Sequence, residues 1–313
     1  MRNFKASFNL VKHCSFIIYF AFLFPSEAFG AESIQTYPKF TAQKNSVPWI
    51  IAILQHNEPD NYKAQFCAAT FISPYWAITA AHCVVTGSSW KDFKKIKIDI
   101  LVGTQILNQG GLRATVEEDD IIFNAHYNPK NFNNDIALIR VKNPNCGQES
   151  IAIIKDESEE IQLFEEQQQS KEKKIFYVSG WGNDLKGEKE YPKTINAIDV
   201  EVMDSVNCMR NYNDEYTVNM LCAGKSNFHT FCKRDSGGPL FTQYNNSNKS
   251  VQVGIISSLP NISYDPCGGD YKVAKYTRLY NYKDWIKDNS KDPYPCQNEM
   301  ISTPSCPKEA TCK

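Results

Sequence analysis

Net charge is what this sequence has least of. Its 313 residues carry 34 basic and 35 acidic side chains, so there is no electrostatic footprint for nucleic acid. Glycine and proline number 15 each, too few for a collagenous or low-complexity chain, and 42% hydrophobic residues exclude a disordered one. No stretch beyond residue 30 is apolar enough to span a bilayer. There is no CxxC pair, and His56, His82, His126 and His229 lie far apart without i, i+4 spacing, so the pattern calls for no metal. No repeat recurs at a fixed period.

What is present begins with residues 1–30. Arg2, Lys5 and Lys12 precede an apolar run from Cys14 to Phe24, and Ala28-Phe29-Gly30 follows with small residues where a signal peptidase reads. The run is shorter than the ~20 residues a bilayer core needs. The segment therefore reads as a signal peptide and predicts a secreted, extracellular protein, free of the membrane in its mature form. Its removal takes away three basic groups and Glu27, leaving 31 basic and 34 acidic, a net of −3. Ten of the eleven cysteines lie beyond Gly30, and an even number in an oxidising compartment favours disulfides. Sequons at Asn245, Asn248 and Asn261 fit a secreted glycoprotein.

From Val47 to Arg140 short apolar runs (Trp49–Leu54, Cys67–Ile72, Ile96–Val102, Ile136–Val141) alternate with turn-rich polar segments, the spacing of a β-barrel or sandwich. A second series runs from Ile175 to Leu279. Between them Asp156–Lys174, dense in charge and glutamine, is more simply a surface connection than a solvated helix. The expected organisation is an all-β body over 31–287, with a first module at about 47–145, a linker at about 146–174 and a second module at about 175–279. Tyr282, Trp285 and Ile286 have helical spacing and predict one short amphipathic helix over Tyr280–Lys287. Residues 288–313, with four Pro and three Cys, read as a tail held by crosslinks.

Three segments carry chemistry: Thr79-Ala80-Ala81-His82-Cys83, Asn133-Asn134-Asp135-Ile136-Ala137-Leu138 and Arg234-Asp235-Ser236-Gly237-Gly238-Pro239. A serine hydroxyl is a poor nucleophile at neutral pH; it needs an imidazole to take its proton and a carboxylate to hold that imidazole's tautomer and charge. Singly, His82, Asp135 and Ser236 are a core histidine, a turn former and a turn hydroxyl. Together, in this order, the segments resemble the signatures of the chymotrypsin-like serine proteases over about Pro48 to Lys287. Ser179-Gly180-Trp181-Gly182 resembles the opening of that family's second barrel, and Pro48-Trp49 the start of its first.

The resemblance implies two six-stranded antiparallel β-barrels with the His82, Asp135 and Ser236 side chains at their junction. His82 would be general base, Asp135 its orienting group and Ser236 the nucleophile, with Arg234 and Ser236 supplying the oxyanion hole; no cofactor and no metal are implied. It also implies disulfides Cys67–Cys83, Cys208–Cys222 and Cys232–Cys267. A further family disulfide is replaced by Phe176 and Thr242. Cys146, Cys296, Cys306 and Cys312 allow three pairings, of which Cys146–Cys296 with Cys306–Cys312 ties the tail to the body. The acidic run Glu117–Asp120, near a calcium loop of some relatives, is expected to be a solvated turn.

Two departures bear on activity. Arg234 stands where the family keeps glycine: either its Cβ and long side chain forbid the backbone conformation an oxyanion donor needs, or the side chain points outward and the donor survives. No Ile-Val-Gly-Gly-like terminus exists; the register places the expected cut near Thr36, and without an inserted amine the buried Asp235 charge would lack a partner. At the specificity pocket, Thr230 replaces the basal aspartate of trypsin-type enzymes and Leu259 and Ala274 replace wall glycines, implying small apolar substrate side chains. Two functions follow: a secreted monomeric serine endopeptidase with a narrowed neutral pocket acting on polypeptides, or a catalytically impaired homologue that binds a partner protein as a cofactor in an extracellular cascade.

Overall fold

The computed structural model describes residues 40–41, 47–89, 91–142, 149–169, 174–182, 191–212, 215–224, 232–244, 249–258 and 273–291. The 1–30 segment, Thr36, Thr230, Leu259, Cys267, the sequons at Asn245, Asn248 and Asn261, and Cys146, Cys296, Cys306 and Cys312 lie outside them.

The apolar runs form strands, as their composition requires. The first sheet has the spatial order Leu112–Val116, Ile98–Val102, Ile50–Gln55, Gln65–Ser73, Trp76–Thr79, Ala137–Arg140, Ile121–Phe123, with every neighbouring pair antiparallel. Its two outermost strands are consecutive in the chain, separated only by the 3-10 turn Glu118–Asp120, so the sheet curls back on itself through one bent strand. The second sheet runs Asn196–Met203, Phe176–Gly180, Pro239–Gln243, Ser250–Ser258, Val273–Arg278, Met220–Gly224, and the last of these pairs with the first. That is a closed ring of six antiparallel strands. Phe40–Thr41 adds to its Asn196–Met203 member, and Ala152–Ile153 lies parallel to Ser250–Ser258.

One hydrophobic core serves both sheets. Ile50 to Leu54 and Val251 to Ile256 are buried without a break, because these strands are covered on both faces and alternation would waste apolar contact. Trp49 meets Phe241 edge-on across the sheets at 5.8 Å between ring centroids, and the buried Trp181 indole donates to the Gln105 carbonyl at 3.2 Å. Phe176 and Thr242 stand directly opposite each other in the ladder, both buried. An apolar ring and a hydroxyl that donates to Ile175 O at 2.7 Å fill the place for which the sequence offered no cystine.

The connection between the modules differs from expectation. Glu157–Gln169 is an α-helix docked on the second sheet. Its inward stripe is Glu160, Leu163, Phe164 and Gln167, a helical i, i+3, i+4, i+7 set in which two members are polar. Buried Glu160 accepts from Arg278 Nε at 2.8 Å. Gln167 exchanges two 2.9 Å bonds with the Val202 backbone, so its amide acts as one more strand residue. The acidic turn also differs: Glu117, Glu118 and Asp119 are exposed, but Asp120 is buried and paired with Arg140 at 3.0 Å and Lys142 at 2.7 Å. The expected C-terminal helix is a 3-10 turn, Leu279–Tyr282, continuing as Lys283–Asn289 with Tyr282 and Ile286 buried. Ser205–Tyr212 is a further helix. Among the described residues no helix is long and apolar enough to cross a membrane.

Candidate active site

His82 sits in the 3-10 turn Ala81–Cys83, just past the strand Trp76–Thr79. Asp135 lies just before the strand Ala137–Arg140, which pairs with Trp76–Thr79 in a register that sets Ala137 opposite Thr79. Adjacent strand ends therefore deliver both side chains to one place, although 53 residues separate them.

Asp135 is fully buried. Its Oδ1 accepts from the His82 amide at 2.9 Å, and its Oδ2 meets His82 Nδ1 at 2.8 Å and accepts from the Ser257 hydroxyl at 2.6 Å. The Thr277 hydroxyl donates to its carbonyl at 2.7 Å. A carboxylate can only accept, so the His82 proton lies on Nδ1 and Nε2 keeps its lone pair. Burial works against protonating His82, but the charge and hydrogen bond of Asp135 outweigh it, and the net effect lifts the imidazole above its ordinary 6.5. Burial, then the Asp135 charge, pushes the hydroxyls of Tyr127 and Tyr282 strongly upward, so both remain neutral beside it. Ser257 and Thr277 carried no signal in the sequence, since their contacts span 122 and 142 residues.

Ser236 is half-buried and is drawn to this pair by backbone bonds to the first sheet. Its carbonyl accepts from Ala68 N at 2.8 Å and lies 3.5 Å from Cys83 Sγ, which is itself 3.7 Å from His82 Nε2. No hydrogen bond joins Ser236 Oγ to His82 among the described residues, a looseness common in sites without substrate. The approach needs Gly237: at φ 82°, a Cβ there would lie 2.2 Å from Thr79 Oγ1 and 2.3 Å from Ala68 O.

Asp235 points away from the nucleophile. Its carboxylate accepts from Gly182 N at 2.6 Å and Cys232 N at 3.0 Å, so backbone donors meet the charge within the site. It faces a cleft lined by Val178, Ser179, Gly180, Gly182, Asn196 and Ile198. Arg234 adopts φ 84°, so the left-handed turn forms with arginine in place, the second of the two alternatives the sequence left open. Its side chain turns outward, with the guanidinium stacked 3.8 Å from the Tyr191 ring and donating to Tyr62 O at 3.1 Å. Gln65 Nε2 binds the Arg234 carbonyl at 2.9 Å.

Disulfides Cys67–Cys83 and Cys208–Cys222 are formed, and Cys232 is disulfide-bonded. Cys67, His82 and Cys83 cluster, but both sulfurs are consumed in the bridge, leaving one imidazole and no chelating set. Ala274 is buried in the strand Val273–Arg278, opposite Ala223.

The Trypsin family model matches residues 38–286. The chain belongs to the trypsin family of serine proteases. It is 29% identical over 256 residues to prostatic glandular kallikrein-6 of Rattus norvegicus, covering 81% of this chain and 88% of that protein. It is 28% identical over 251 residues to trypsin-3 of Homo sapiens, covering 80% and 70%. Among solved structures it resembles neuropsin, a serine protease expressed in the limbic system of mouse brain, with a TM-score of 0.59 and 28% identity over 78% of this chain and 94% of that one. This chain therefore has the two-barrel fold of the trypsin family and belongs, at family level, with the serine endopeptidases.

Proposed function

We propose that this serine protease is catalytically competent and hydrolyses peptide bonds through His82, Asp135 and Ser236. The observation that carries the reading is the buried Asp135 carboxylate holding both the amide and Nδ1 of His82, which leaves Nε2 with its lone pair as the base. Nε2 takes the Ser236 hydroxyl proton as Oγ adds to the scissile carbonyl. The oxyanion is held by the amide N–H groups of Arg234 and Ser236. Collapse of the adduct passes the proton from His82 to the leaving amine, and water, deprotonated by the same imidazole, resolves the acyl-enzyme.

The left-handed Arg234 backbone supports this reading over that of a non-catalytic cofactor. Thr230, Leu259 and Ala274 define a narrow neutral pocket for small apolar side chains. The protein works outside the cell as a monomer on polypeptide substrates, after loss of residues 1–30 and a cut near residues 33–40. A fluorophosphonate probe tests this: it labels wild type and not Ser236→Ala. Absence of labelling in every N-terminally processed form rejects it in favour of the partner-binding homologue.

A further inference from the structure

We infer that Arg234 and Lys193, seated on the Tyr62–Tyr191 pair, form a cationic subsite that takes an acidic side chain of the substrate. The inference rests on reading Ser236 as the nucleophile and adds the substrate class.

Arg234 lies two residues before Ser236 and is half-buried. Its guanidinium is 3.8 Å from the Tyr191 ring and 5.4 Å from the Tyr62 ring, and Lys193 Nζ is 5.7 Å from that same Tyr62 ring. The platform is rigid. The Tyr62 hydroxyl donates to Tyr191 O at 3.0 Å, and the short helix carrying Tyr62 is capped by Asp60, which also accepts from Asn108 at 2.9 Å.

Two cations thus share one aromatic ring, and among the described residues no carboxylate lies within ion-pair distance of either. Other shielded cations of the chain are answered: Arg113 by Asp99, Lys174 by Glu166, Lys275 by Glu215, Arg278 by Glu160. Arg234 donates once, to Tyr62 O. A guanidinium has five N–H donors in a planar fork matched to a carboxylate, so the remainder stay available. Stacking fixes the fork in place, and less side-chain entropy is lost when an anion docks.

The position fixes which substrate residue is read. The scissile carbonyl must reach the Arg234 amide, and an extended chain advances about 3.3–3.6 Å per residue. The guanidinium of that same residue therefore meets a side chain one or two places from the bond cleaved.

The test uses peptide pairs identical except for Asp or Asn at each of the two positions on either side of the cleaved bond. At one position, kcat/KM is about five- to tenfold higher for Asp, as expected for a half-screened charge pair. The preference shrinks as salt shortens the screening length. It collapses toward unity in Arg234→Gln/Lys193→Gln, where Gln keeps a long side chain and the backbone strain without the charge. In Lys193→Gln alone, at an exposed position, it falls part-way. A protein labelled at Ser236 that shows no Asp preference at any of the four positions overturns the subsite and leaves the protease standing. Should Ser236 resist labelling, fluorescence anisotropy of the same peptides decides: tighter, salt-dependent binding of an Asp peptide sustains the subsite, and equal affinities overturn it.

Discussion

Replacing Arg234 separates backbone strain from side-chain anchoring, because the two act in opposite directions at one residue. A φ of 84° costs a residue with a Cβ about 1–2 kcal/mol. The stack on Tyr191 at 3.8 Å and the bond to Tyr62 O at 3.1 Å oppose it by about 0.5–2 and 1.5–3 kcal/mol, each reduced by solvent because the side chain is only half-buried. Arg234→Ala keeps the strain and loses the anchors, so it destabilises by about 1–3 kcal/mol. Arg234→Gly loses the anchors but also the strain, offset by about 0.5–1 kcal/mol of added chain entropy, and so recovers up to about 1.5 kcal/mol of the alanine loss. The alanine variant should therefore melt about 2–4 °C below the glycine variant for each kcal/mol separating them. Turnover on a small ester should follow the same order, with glycine giving no large gain, since the left-handed turn already exists. Alanine clearly more stable than glycine would show that residue 234 is not left-handed in solution, and the reasoning would fail.

Asp135→Asn should lower turnover about 10⁴-fold and move the acid limb of the residual activity downward, because burial alone then acts on His82. In wild type that limb lies above 6.5; an unchanged limb would contradict the stated cause. By linkage, the folded state's hold on the His82 proton stabilises it fully below about pH 6.5 and is lost as pH rises through the folded value, a trend for pH-dependent denaturant titrations to check against the variant. Gly182→Ala would put a methyl 2.1 Å from Asp235 Oδ2; it should cost about 2–4 kcal/mol and reduce Ser236 labelling at least about tenfold, and full labelling would show the carboxylate does not hold that loop. Glu160→Ala leaves half-buried Arg278 without its carboxylate and should cost about 3–5 kcal/mol by thermal melting, whereas a loss below about 1 kcal/mol would mean the helix Glu157–Gln169 is not docked.

The strands were legible because their apolar runs had to be buried, and His82 and Asp135 because each sits at a strand end in a recognisable local sequence. The helix Glu157–Gln169 was not, because its inward face contains Glu160 and Gln167, whose burial makes sense only once Arg278 and the Val202 backbone are alongside. Asp120 was misread for the same reason: Arg140 and Lys142, which neutralise it, follow twenty and twenty-two residues later, at the end of the strand Ala137–Arg140 and just past it. The anchoring of Arg234 was beyond sequence reasoning, since Tyr62 and Tyr191 are 129 residues apart and neither belongs to a motif. Ser257 sits at the end of an otherwise ordinary buried strand, and only folding carries it to Asp135.

The central claim is that Ser236 becomes covalently acylated. Purified protein, cut in the 33–40 region, is mixed with an activated ester and quenched in acid, and the adduct is located by peptide mass spectrometry. An acyl group on the peptide containing Ser236, absent when His82 is replaced by Ala, is the predicted result. An adduct confined to other residues, or none in any processed form, contradicts it.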